Sequence, residues 1–387
     1  MATGSAYGES PGPHPELPAQ GGTPAAELRA AVLPALRRGR CLVSFSGGRD
    51  SSVVLAAAVA AAREHGLDPP VPVTLRWPRA PETDERDWQE RVVAALGVGD
   101  WERIELDREL DNLGPVAERV VRAHGVLFPG NAFFAVPLLE RAAGGTLLTG
   151  MGGDALLGAE WRWARSAALL RRRLPGVRTL AGLARYAAPL PLRRRAELRA
   201  RGRLYTFPWL RPAAAERALR LLVEERAGEP RLWTGYVPWM LRRRPLAMAA
   251  WSYERLARDA GAALAHPLLD PGVAAAVVRA GGRLGWPERA AATRSAFAGL
   301  LPGDLLARPG KARLTAAFWA GGARAFAAAW DGSGVDPEVV DADGLRREWA
   351  SESPDARTGS LLHHVWLACG LAQPDVPEAL DDPGGRA

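Results

Sequence analysis

Five residues of strand character, Cys41 to Phe45, run without a break into Ser46-Gly47-Gly48-Arg49-Asp50-Ser51-Ser52 and on into an Ala/Val-rich helical pattern, Ser51 to Glu64. An apolar strand that turns through two glycines straight into a helix is half of a βαβ unit, so this stretch calls for a parallel sheet flanked by helices. The loop constrains chemistry as well. Its glycines let the backbone approach an anion, the helix start turns amides outward, and Ser46, Ser51 and Ser52 add hydroxyl donors. Such a cradle suits a polyphosphate. An aspartate within it would repel phosphate unless a divalent cation stood between them, so Asp50 points to magnesium held by oxygen ligands. The Gly-Lys-Ser/Thr ending of a Walker loop is absent, as is a Gly-x-Gly-x-x-Gly fingerprint after this first strand.

The α/β alternation continues along the chain. Pro72 to Arg76 reads as a second strand, Glu82 to Leu96 as an amphipathic helix and Glu102 to Leu106 as a third strand. Helical patterns near 113–124 and 131–143 lead to a fourth strand, Thr146 to Thr149, after which the strand signal fades into helices broken by Pro and Gly. Residues 1–24 hold ten Gly or Pro and read with residue 25 as a flexible leader; 374–387 read as a flexible tail. Between them, 26–373 form one unit. It divides into a nucleotide core to about 160, an Arg-rich helical insert over about 161–245 and a helical part over 246–373.

Charge and cysteines narrow the setting. Residues 161–245 carry 21 Arg against 5 Glu and no Asp, so the chain's formal +7 is local and the remainder is acidic. The insert's Arg triplets, with Trp161, Trp163, Trp209, Trp233 and Trp239, admit an RNA face, an acidic peptide partner or plain solvated surface; nucleic acid is the least favoured. Two cysteines, Cys41 and Cys369, make no disulfide framework, and no apolar stretch is long enough to span a bilayer. The expected setting is the cytoplasm, away from membranes.

A second glycine motif, Leu148-Thr149-Gly150-Met151-Gly152-Gly153-Asp154, closes the fourth strand and supplies a second carboxylate at a helix start. Asp50 and Asp154 then sit on loops at the carboxyl ends of parallel strands, where open α/β sheets bind ligands. Lys311, the chain's single lysine, lies in Arg308-Pro-Gly-Lys311. Ser-Gly-Gly-x-Asp-Ser-Ser resembles the pyrophosphatase loop of ATP enzymes that release pyrophosphate. The second motif, with Ala265-His266-Pro267-Leu268-Leu269-Asp270 and the Leu301-Pro302…Arg308-x-x-Lys311 segment, resembles the asparagine synthetase family over roughly 27–370.

That resemblance implies an α/β fold of PP-loop, adenine nucleotide alpha hydrolase-like type, with a parallel sheet, flanking helices and a mostly helical C-terminal half. It implies ATP and Mg2+: phosphates on Ser46, Gly47, Gly48, Asp50, Ser51 and Ser52; adenine against Val73, Thr74 and Leu75; ribose near Gly150 and Gly152; metal on Asp50 and Asp154. Lys311 falls at the family's catalytic lysine. His266 and Asp270 read more simply as a packed imidazole and a helix cap.

The implied reaction activates a carboxylate as an acyl-adenylate, releasing pyrophosphate, and forms an amide with an amine or ammonia. Three departures bear on the substrate. The family's glutaminase half, with its nucleophilic cysteine, is not seen, Met151 stands where relatives carry Glu or Tyr, and Ala155 replaces the acid that follows the metal aspartate. They shift the expectation toward natural-product or peptide tailoring, as in β-lactam synthetases and lasso peptide macrolactam cyclases. Asparagine formation from free ammonia or with a separate glutaminase, a tRNA-modifying ligase of the same superfamily and a non-catalytic nucleotide-binding relative are the alternatives.

Overall fold

A computed structural model describes residues 2–12, 14, 16–158, 184, 187–202, 206–308 and 315–370. Five strands, β1 (Cys41–Ser44), β2 (Val71–Arg76), β3 (Glu102–Glu105), β4 (Thr146–Leu148) and β5 (Ala263–Ala265), form one sheet in the order β3-β2-β1-β4-β5. Every pairing is parallel. β5 is a short strand the sequence reading missed. Three residues of Ala-Leu-Ala carry no strand signal alone, and β5 exists because β4 offers it an open edge, with Leu147 opposite Leu264.

The helices preceding and between the first four strands are α1 (Pro24–Arg37), α2 (Arg49–His65), α3 (Arg86–Leu96), α4 (Pro115–His124) and α5 (Val136–Arg141). Side chains alternate across the strands, so Cys41, Val43 and Phe45 bury against α1 and α2 while Leu42 and Leu147 bury on the opposite face. α2 is buried around most of its circumference, and its Ala56-Ala57-Ala58 run lets it press close to the sheet. The helix expected from Glu82 starts only at Arg86, because Pro81–Thr83 form a separate 3-10 turn. The 131–143 pattern likewise divides into a 3-10 turn, Ala132–Ala135, and α5.

After β4 come the single turn α6 (Gly153–Leu156), then α7 (Leu190–Arg201), α8 (Pro212–Ala227), α9 (Trp233–Leu241) and α10 (Arg244–Asp259), followed by β5, α11 (Pro271–Gly281) and α12 (Arg289–Ala296). Trp209 and Trp233 are fully buried, so neither can stack on a base. Trp161, Trp163, Arg171–Arg173, Lys311 and the 374–387 tail lie outside the described residues.

The segment expected to be a flexible leader is tied to the body. Trp209 Nε1 donates to the Ala2 carbonyl at 2.8 Å, Gly8 N donates to Glu225 at 2.9 Å, and Arg244 N donates to the Gly8 carbonyl at 2.9 Å. Buried Arg243 bonds both Glu9 and Glu225, at 2.8 and 3.1 Å. The extended leader thus finds partners for its polar groups on α8 and at the α9–α10 junction, which composition alone could not reveal.

Candidate active site

β1 lies between β2 and β4, so the chain leaves β1 toward one side of the sheet and later returns on the other. The loops after β1 and β4 therefore diverge, opening a crevice at the carboxyl end of the strands. Both sequence-predicted motifs border it. Gly48 caps α2 through its backbone alone, with no side chain bonded to the first amides, so this 17-residue helix keeps N–H donors for an anion. Gly47 has φ +78°, a conformation L side chains rarely adopt, and a Cβ there would also meet the Gln89 side chain at 2.8 Å.

The two motifs interlock. A Cβ on Gly150 would stand 2.9 Å from Ser51 N, and one on Gly153 would stand 2.2 Å from the Asp50 carboxyl carbon. Only glycines at both positions let the second loop close over the first. Within the first loop, Ser51 Oγ donates to the Gly48 carbonyl at 3.1 Å and accepts from Ser46 N at 3.3 Å. Two side chains brace the loop from outside: Gln89 Nε2 donates to the Ser46 carbonyl at 3.2 Å, and Arg308 Nη1 donates to the Gly47 carbonyl at 2.6 Å. Arg308 also forms a buried ion pair with Glu85.

One guanidinium joins the two aspartates. Arg289, first residue of α12, places Nη2 2.5 Å from Asp50 Oδ2 and pairs through Nη1 with Asp154 Oδ1. Burial pushes the Asp50 carboxyl above its ordinary range, against the pull of Arg289, and Asp154 raises it further. Arg289 escaped sequence reading because nothing marks one arginine among 49. Arg308 was visible inside the Arg-x-x-Lys segment, though without a role.

Asp50 and Asp154 open on a cavity of about 930 Å3, bordered also by Ser46, Gly48, Ser51, Gly150, Met151 and Gly152. Gly47, Ser52, Thr74 and Leu75 do not line it. The Thr74 side chain is buried; its hydroxyl donates to the Phe45 carbonyl at 2.6 Å and accepts from Trp101 Nε1 at 2.9 Å. Its polar atom thus ties the end of β1 to the residue leading into β3. Away from the loops the wall is mostly apolar, with Phe134, Leu138, Met240 and Phe318, but it also carries the charged Glu225, Arg226, Glu229 and Arg243, and residues Gly4 to Tyr7 of the leader close one side.

Residues 25–368 match the family model for asparagine synthase. The chain belongs to the asparagine synthase family. It is accordingly an ATP-dependent amide-forming synthetase, in which a parallel five-stranded sheet carries a helical C-terminal part. No individual curated protein matches the chain. Among the described residues no helix is long and apolar enough to cross a membrane.

Magnesium suits the donor set of an asparagine synthase site of this kind. Asp50 Oδ1 is buried without a hydrogen-bond partner, and the Asp154 side chain is 67% exposed, so both can offer oxygen to a hard cation. No group of three His, Cys, Asp or Glu among the described residues could hold a metal alone, which leaves the remaining ligand positions to phosphate and water oxygens.

His266 and Asp270 have the structural roles expected. Asp270 caps α11 by accepting from Gly272 N and Val273 N, and His266 Nδ1 lies 2.6 Å from Thr149 Oγ1 in the second loop. Burial pushes His266 down to about 4, and His363, which donates from Nε2 to the Asn112 carbonyl, also to about 4. Unfolded histidine protonates near 6.5. Between pH 6.5 and 4 the unfolded chain therefore binds more protons, so these two groups stabilise the fold fully above that window and lose the contribution as pH falls through it. Each adds a slope of about 1.4 kcal/mol per pH unit. In unfolding titrations His363→Gln should remove one histidine's share of the slope; an unchanged slope would refute the assignment.

Proposed function

We propose that the protein joins a bulky, largely apolar carboxylate to an amine, in the manner of natural-product or peptide tailoring enzymes that form macrolactams. The observation carrying this reading is the cavity. At about 930 Å3 it stands at the upper end of the roughly 300–1,000 Å3 typical of small-molecule sites, and much of its far wall is aliphatic and aromatic, beside the charged Glu225, Arg226, Glu229 and Arg243. Free aspartate would bury little against Phe134, Leu138 and Phe318.

In this reading the polyphosphate of ATP lies on the α2 amides with Ser46 and Ser51, and ribose near Gly150 and Gly152. The substrate carboxylate oxygen attacks the α-phosphorus, the bond to the β-phosphate oxygen breaks, and pyrophosphate leaves. The amine nitrogen then attacks the acyl carbon, AMP departs, and the amine gives up a proton. Asp50 and Asp154 would hold magnesium, which would supply Lewis-acid neutralisation of the leaving pyrophosphate. Lys311 supplies a compact, mobile ammonium at the α-phosphate. Met151 offers no carboxylate or phenol, so the amine's proton must be accepted elsewhere, in solvent or on the substrate. Exposed Arg194, Arg195 and Arg199 of α7 fit an acidic segment of a peptide substrate.

The test is incubation with labelled ATP and a panel of carboxylates and amines: aspartate with ammonia, linear peptides with a side-chain carboxylate, and tRNA. AMP and pyrophosphate formed with peptides or other large carboxylates are the expected products. ADP would overturn the mechanism. Turnover with aspartate and ammonia alone would make this an asparagine-forming enzyme, and ATP binding without turnover on any substrate would favour a non-catalytic relative.

A further inference from the structure

We propose that Arg289 is a displaceable counter-ion of the metal site, competing with the divalent cation for Asp50 and Asp154 until a polyphosphate draws its guanidinium away. The inference rests on the reading of these aspartates as the magnesium pair and adds what governs their access to metal.

Three observations carry it. First, a single guanidinium spans both carboxylates, Nη2 on Asp50 Oδ2 and Nη1 on Asp154 Oδ1, and so occupies one oxygen of each member of the pair. Second, the arrangement is incompletely satisfied on both sides. Arg289 Nε and Asp50 Oδ1 are buried without hydrogen-bond partners, a costly condition that a phosphate oxygen and a cation would respectively relieve. Third, Arg289 opens α12, where the helix dipole disfavours a cation, so the side chain is held by the aspartates and not by its own helix.

The surrounding charge sets the order of events. Arg49, Arg289 and Arg308 stand close enough to interact around the loop, opposed by Asp50 and Asp154. A divalent ion arriving alone would add positive charge to this cluster and would have to displace a bidentate partner. A polyphosphate reverses both terms: it brings negative charge, and its oxygens can take over the guanidinium. Metal and polyphosphate therefore bind cooperatively through Arg289, and by linkage each strengthens the other equally. Such a device leaves the nucleotide-free protein with little hold on divalent metal.

Mn2+ binding read by electron paramagnetic resonance tests this without any turnover. Protein-bound Mn2+ is titrated with and without inorganic pyrophosphate, correcting for the complex the two form in solution. Arg289→Gln should tighten Mn2+ binding in the absence of pyrophosphate by about tenfold, within the usual range of site-to-site coupling, and should shrink the gain that pyrophosphate brings. Arg289→Lys, whose ammonium reaches one carboxylate at a time, should fall between and guards against a folding defect in the first variant. Adding Asp154→Asn to Arg289→Gln should abolish the new affinity. Wild-type affinity in Arg289→Gln, with pyrophosphate coupling intact, would overturn the competition while leaving the metal site standing. Failure of the wild-type protein to bind Mn2+ even with pyrophosphate would overturn the metal-site reading itself.

Discussion

Lys311→Met is expected to lower kcat by about 10²–10³-fold, the usual effect of deleting one preorganised donor at a developing charge. Every other basic residue is arginine, so a lysine that persists at the position matching the family's catalytic lysine has a task for which a planar, bidentate guanidinium is unsuited. A point charge on a flexible stem can follow the α-phosphate as negative charge moves to the leaving pyrophosphate. Lys311→Arg should therefore fail to restore turnover, while KM for ATP should change little in either variant, since the loop and α2 bind the ground state. Turnover at the wild-type rate in Lys311→Met would remove this lysine from the mechanism.

Arg308→Ala should destabilise the protein by about 3–5 kcal/mol, because it removes one member of a buried ion pair. The Arg308 and Glu85 side chains are only 6% and 8% exposed, and the other end of the guanidinium holds the Gly47 carbonyl. Loss of the brace should also raise KM for ATP, since the loop would no longer be held in its anion-binding shape. Chemical denaturation and ATP kinetics give the two readouts. Replacing the pair together, Arg308→Met with Glu85→Leu, should recover much of the stability but not the KM. A double variant with normal KM would show that the loop keeps its shape without Arg308.

The parts of the site that could be read beforehand share one property: their chemistry is local in the chain. A strand, two glycines, an aspartate and a helix start within a dozen residues define the loop at Ser46–Ser52 wherever the sheet places it. Thr149–Asp154 is equally self-contained. For Thr74, β-strand alternation does not say which way a buried hydroxyl bonds, and here Phe45 and Trp101 claim it. The Gly and Pro content of residues 1–24 describes the free chain. An extended segment becomes ordered once another part of the molecule offers matching donors and acceptors.

The amino-acid sequence by itself determined the parallel α/β class, the two glycine loops, their aspartates and the family, because each depends on spacing within one short stretch. Only the tertiary structure decided what lies between those aspartates. Arg289 is 239 residues from Asp50 and Arg308 261 from Gly47, and no periodicity reaches that far. Their roles follow from burial: a carboxylate drawn out of water needs a cation, and folding selects whichever guanidinium packing brings within reach.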